Sequence, residues 1–190
     1  MMSTALAYLH ERFRPGIFGP AIALQAGLAL WISRPPLTAR VCLQAFVTIA
    51  LLLLQFRLWD DLEDRDRDRV AHPERLLVRH SPTPFWRVLA GLALANLALV
   101  GLLSITAAAG LALLDLACWA AYRKIRARVS DPTWRFRLLP DKYPAFVWIT
   151  AATVGTPATG RLFPGLLFMW ACACSYEALH DRPAASRVTP

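Results

Sequence analysis

Only two lysines stand against nineteen arginines in this chain of 190 residues, and there are just four histidines and four cysteines. The histidines fall at no metal-ligand spacing, which argues against a centre built on imidazoles. No Ser/His/Asp set and no glycine-rich phosphate loop is present, so neither triad hydrolysis nor P-loop chemistry is indicated. No repeat or low-complexity tract divides the chain. It reads as one transmembrane domain over residues 1–190, with the tail 182–190 expected to be disordered. Cys42, Cys118, Cys172 and Cys174 all fall inside apolar runs, where small residues pack between helices. A soft-metal pair at Cys172 and Cys174 is the alternative. No segment carries the cleavage pattern of a secretory leader, and the first apolar run reads as an anchor.

What the chain does have is apolar length. It is 56% hydrophobic, with a mean hydropathy of +0.40. About 20 apolar residues cross a ~30 Å hydrocarbon core. Six such runs are read: Pro15–Ser33, Ala39–Leu58, Val88–Leu103, Thr106–Tyr122, Pro144–Gly160 and Phe163–Leu179. Val88 to Ala121 is nearly continuous and would be about 50 Å long as one helix, so a tight reversal is expected near Ser104–Thr106. The expected fold class is all-α, a polytopic transmembrane bundle of about six spans.

With the N-terminus in the cytoplasm, eighteen basic residues fall inside and only Arg34, Arg40 and Arg161 outside. That bias places both termini on the cytoplasmic side of a cell (inner) membrane. It also accounts for the net charge of +8, so no nucleic acid is required as a partner.

Seven of the thirteen acidic residues lie between Asp60 and Glu74, directly after the second apolar run. Asp60, Asp64 and Asp68 recur every four residues and would share one helix face. Like charges at that spacing repel, and a bound cation relieves the repulsion. Oxygen-only donors suit Mg²⁺, which commonly carries a substrate phosphate. The alternative is a solvated helix end laced with Asp–Arg ion pairs. A second acidic site, Tyr176-Glu177 with Asp181, closes the sixth run on the same side. Two acidic helices at one membrane face can hold Mg²⁺ between them, so Asp60, Asp64, Asp68, Glu177 and Asp181 are the candidate metal ligands.

Asp115 lies within an apolar run, where an ionisable group is costly and points to a site. It either orients a substrate hydroxyl or acts as a base, or it makes an interhelical hydrogen bond. Asp115 and Tyr176 are the candidate catalytic side chains. Basic groups beside a diphosphate hold and neutralise it. Arg75, which follows the acidic helix at a fixed distance, is the first candidate. Arg123, Lys124, Arg126 and Lys142, at the ends of the 123–142 loop, complete the set.

Taken together, Trp59-Asp60, Asp64 and Asp68 resemble the Asn-Asp-x-x-x-Asp-x-x-x-Asp pattern of the UbiA superfamily of intramembrane prenyltransferases. Pro73, Arg75 and the Arg75-Leu76-Leu77 stretch resemble the Pro and Arg-Pro-Leu that follow it in the chlorophyll-synthase branch. Tyr176-Glu177 with Asp181 looks like a shortened version of the second motif. The resemblance implies a helical bundle with a cavity open to lipid, Mg²⁺ as cofactor, and a prenyl diphosphate and a lipophilic, often aromatic, acceptor as partners. Three departures accompany it. The family usually has nine spans, Trp59 stands in place of the Asn, and the second motif is abbreviated. The alternative is a catalytically inactive UbiA-like protein that binds a lipid or a partner; assembly as a homo-oligomer is the separate route by which a reduced member would complete its cavity. A CDP-alcohol phosphotransferase is disfavoured, because no Asp-Gly pair occurs.

Overall fold

The computed structural model describes residues 4–127 and 140–180. Among these residues the chain is entirely helical, with no strand. The helices are α1 (Thr4–Arg12), α2 (Pro15–Ser33), α3 (Ala39–Glu63), α4 (Arg65–Ala71), α5 (Leu76–Arg79), α6 (Thr83–Leu103), α7 (Ile105–Ala127), α8 (Lys142–Val154) and α9 (Thr159–His180).

All six expected apolar runs are helical, but they are not equivalent. Four of them, α2, α3, α6 and α7, are long and apolar enough to cross a membrane. They show apolar side chains outward, among them Leu94, Leu102, Leu113 and Leu116, each more than half exposed. This is the character of a membrane protein. The fifth run was expected to reach Gly160, yet α8 has only 13 residues and is about 20 Å long. The sixth, α9, has 22 residues but opens on the polar Thr159 and Arg161, and it is not among the four. The reversal expected near Ser104 is present. Ser104 is extended (φ −160°, ψ 117°), and its hydroxyl accepts the Ala107 N–H at 3.3 Å, capping α7 as serine does at helix starts.

The short helix α8 is the hub. It packs against α2, α3, α7 and α9, and Phe146, Val147, Ile149 and Ala151 along it are fully buried. On α3, Ala45, Ile49, Leu52, Phe56 and Trp59 follow three- and four-residue steps and are buried, the stripe of one helix face. The Phe56 ring meets Phe146 with centroids 4.9 Å apart. Gln44 donates to the Thr153 carbonyl at one end of α8 (2.8 Å), and Asp60 bonds Lys142 at the other. The two helices therefore run antiparallel. Ser33 donates to the Ala151 carbonyl (2.7 Å), fixing the end of α2 beside the end of α8. One end of the bundle thus gathers residues 33–44 and 151–161. The opposite end gathers α1, α4, α5, Tyr122 and Lys142.

Close approach of α7 to α8 depends on Gly110. A Cβ added there would come within 2.1 Å of a Trp148 ring carbon. At Gly101, by contrast, an added Cβ meets only the Ala108 methyl, at 3.7 Å. Gly110→Leu should therefore lose about 1–3 kcal/mol, the usual cost of overpacking, while Gly101→Ala should be near neutral. Unfolding of the purified protein in detergent by SDS titration measures both, and equal effects would overturn this account of the α7–α8 contact.

Candidate functional site

The acidic end is built around Asp60, in the last turns of α3. Its two carboxylate oxygens accept one bond each, from the Tyr122 hydroxyl of α7 and the Lys142 ammonium of α8. Lys142 is 4% exposed and begins its helix, where the backbone dipole disfavours positive charge. Burial and dipole both oppose the ammonium, so a carboxylate beside it is required. The Trp59 ring lies 5.6 Å from that of Tyr122, and its indole N–H donates to Glu63 (3.2 Å). Three helices are joined through this one residue.

The i, i+4 row does not stay on one helix. Asp64 is the junction between α3 and α4, with φ −84° and ψ −1°. Backbone bonds still run from Asp64 to Asp60 (2.9 Å) and from Asp68 to Asp64 (2.8 Å). Asp68 is buried on α4 and pairs with Arg75. The arginines between the aspartates do not form one ladder of ion pairs either. Arg65 instead donates to the carbonyls of Leu77 (3.0 Å), Val78 (3.3 Å) and His80 (3.1 Å). At the other end of α5, Glu11 accepts the Leu76 N–H (3.2 Å). A four-residue helix has little stability of its own, and these two side chains hold it at both ends.

One well-connected side chain here is one that the spacing argument passed over. Asp61 accepts from Tyr8 (2.9 Å) and from Arg12 Nε (2.8 Å), with Arg57 at 3.4 Å. These contacts dock α1 across the acidic end. Together with Asp68, Arg75 and Glu11 they line a pocket of about 10 Å³, room for about one water. Burial first, then the charge of Asp61 and the bond donated to it, raise the Tyr8 phenol above its ordinary value. For Arg12, burial lowers the value, while the bond and charge of Asp61 outweigh it and leave a net rise.

The other expected residues are scattered. Asp115, midway along α7, accepts from Gln55 Nε2 (2.7 Å). Gln55 in turn accepts from Asn96 (2.7 Å), which also donates to the Leu51 carbonyl (3.1 Å). Arg123 is exposed and stacks over Trp119 at 4.1 Å. Lys124 and Arg126 belong to the last turn of α7, and Glu177 to the last turn of α9. The side chains of these three, and all of Asp181 and the tail, lie outside the described residues. Tyr176 is 45% exposed on α9. The structure thus brings together Asp60, Lys142 and Tyr122, and separately Asp68 and Arg75. Asp61, Tyr122, Gln55 and Asn96 were missed. Gln55 and Asn96 did carry a signal, each being an amide inside an otherwise apolar run.

Among the described residues no group of three His, Cys, Asp or Glu side chains converges on a common metal position. Mg²⁺ commonly takes only one or two carboxylates, with waters and substrate phosphates completing its shell. Asp60 and Asp64, one turn apart, offer oxygen donors of that kind. Comparisons with protein-family models, with curated proteins and with solved structures find no match to this chain.

The docking of α1 gives a test. Asp61→Ala leaves Arg12, Arg57 and Tyr8 without their acceptor, and removing one partner of a buried pair costs about 3–5 kcal/mol. Hydrogen exchange should accelerate at the Tyr8–Arg12 amides and stay slow in α8. Because the folded Tyr8 value lies above the unfolded one, its contribution is complete below the ordinary tyrosine value of 10.0. It is lost as pH rises through the folded value. Tyr8→Phe should abolish that alkaline loss of α1 protection.

Proposed function

We propose that the chain is an intramembrane prenyltransferase that binds a prenyl diphosphate at its acidic end and passes the prenyl group to a lipophilic acceptor. The observation that carries this reading is the pairing of Asp60 with Lys142 and of Asp68 with Arg75. A carboxylate row that suits Mg²⁺ and cations that suit phosphate occupy one end of the bundle. Each sign neutralises the other while no ligand is bound. A magnesium diphosphate brings both charges, so both members of each pair exchange an internal partner for one on the ligand.

In this reading Lys142 and Arg75 bind diphosphate oxygens, with Arg123, Lys124 and Arg126 as further cations on the same side. Asp60, Asp64 and Asp68 would hold the metal, joined by Glu177 and Asp181. Mg²⁺ supplies charge that stabilises the departing diphosphate. The allylic C–O bond breaks with its electron pair going to the diphosphate. The acceptor captures the resulting carbocation and releases a proton. Asp115 or Tyr176 receives or orients that proton. Tyr122 holds Asp60 in place, and α1 excludes water from the charged end.

The membrane placement that goes with it is six crossings, with both termini and the acidic end in the cytoplasm. The short α8 does not conflict with six, because backbone buried among other helices need not span the lipid alone. Single cysteines at positions 37 and 157 should then react only with reagent added from outside the cell, and one at position 70 only from inside.

The activity test is diphosphate release from farnesyl and geranylgeranyl diphosphate by the purified protein with Mg²⁺ or EDTA and pooled aromatic acceptors. Release should require Mg²⁺. It should fall about 10²-fold or more in Asp64→Asn and in Lys142→Met, the scale for removing one electrostatic contact to a developing charge. A second reading, a UbiA-like protein that binds a lipid or a partner without turnover, is favoured by Trp59 in the place of the Asn and by the closed pairing of Asp60 and Asp68. Undiminished prenyl diphosphate binding without release, in the wild type and in Asp64→Asn alike, would select it.

A further inference from the structure

Three carboxylates at the acidic end each face a cation, whereas Asp115, half-buried along α7, faces an amide. Asp60 has Lys142, Asp61 has Arg12 and Arg57, and Asp68 has Arg75. Among the described residues Asp115 has the Gln55 amide and no cationic partner. The direction of that bond is fixed from behind. Asn96 donates to Gln55 Oε1, so the Gln55 Nε2 side must face Asp115. Asn96 is held in turn by the Leu51 carbonyl. The relay thus presents Asp115 as an acceptor and spends only Oδ1.

Asp115 opens on a groove of about 180 Å³ lined by Trp59, Trp86, Leu89, Ala90 and Ala93. Ala90 and Ala93 leave room along α6, and two indoles flank the space. A carboxylate at membrane depth costs several kcal/mol unless a partner meets it. Indole rings attract cations over their faces, most strongly when water is excluded. A hydroxyl would satisfy the hydrogen bond but leave the charge unmatched. An ammonium satisfies both.

We propose that this groove is a binding site for a small lipophilic amine, whose ammonium pairs with Asp115 while its apolar body lies along α6 between Trp59 and Trp86. The groove is open on one side, and its volume has room for one ring bearing a short aminomethyl arm. The site is separate from the paired carboxylates of the acidic end but shares Asp115 with the proposed proton transfer, so an amine held there would compete with that role.

The test is equilibrium dialysis of radiolabelled benzylamine, benzyl alcohol and toluene against the full chain in lipid nanodiscs, with empty nanodiscs subtracted. Benzylamine should bind saturably and about tenfold or more tighter than benzyl alcohol, the scale of one ion pair with cation–π support. Asp115→Asn keeps an acceptor for Gln55, so the bundle should remain folded, and the preference for the amine should disappear. Ala93→Phe fills the groove and should weaken all three probes while leaving Asp115 intact. Equal binding of amine and alcohol, or of amine and toluene, would overturn the proposal in favour of a neutral aspartic acid beside a lipid-filled groove. Benzylamine binding unchanged in Asp115→Asn would overturn it as well. No diphosphate enters the assay, so its failure would leave the proposed transferase reading untouched.

Discussion

A lysine buried at the first turn of the central helix has to be neutralised, and Asp60 does so. The helix it begins is the one that α2, α3, α7 and α9 all touch. Moving Asp60 would therefore unsettle more than one contact. Lys142 would be left charged in an apolar surround, Tyr122 would lose its acceptor, and α3 would lose its tie to two neighbours. Buried pairs of this kind add little net stability over an apolar replacement, but they specify one arrangement. Here the arrangement specified is the register of α3, α7 and α8 at the charged end.

The same economy of partners runs through the cap formed by α1, α4 and α5. None of these three helices exceeds nine residues, and helices so short are marginal by themselves. Side chains from elsewhere hold them: Asp61 for α1, and Glu11 and Arg65 for the two ends of α5. The charge-dense segment after α3 is thus a folded structure, in which Arg65, Asp68 and Arg75 are committed to neighbours while Asp66, Arg67 and Arg69 are exposed.

The helical architecture and its apolar runs could be read from the sequence because hydrophobic length and the three- and four-residue steps report directly on burial. The reversal at Ser104 was also legible, since 34 apolar residues cannot cross once. Less visible was the truncation of α8. Thr156 and Pro157 after Gly155 end the helix, but the surrounding apolar residues conceal the stop. The aspartate row was found, while its division at Asp64 was not, because four-residue spacing assumes one unbroken helix. Asp61 was overlooked for the same reason: it lies off the assumed face, and its partners Tyr8 and Arg12 come from some fifty residues away. Sequence spacing within a segment carries no information about such pairs. The Gln55–Asn96–Asp115 relay also joins three separate helices, and only its aspartate drew notice.

The shortness of α8 separates two thicknesses that coincide in a simple bundle. Lipid chains around the protein meet α2, α3, α6 and α7, whose lengths match a bilayer. Along the middle of the protein the apolar stretch is only as long as the 13 residues of α8, about 20 Å. Polar groups close that stretch at both ends, Lys142 on one side and the Ser33 and Gln44 bonds on the other. The apolar middle of the bundle is therefore shorter between its polar ends than the long helices that surround it.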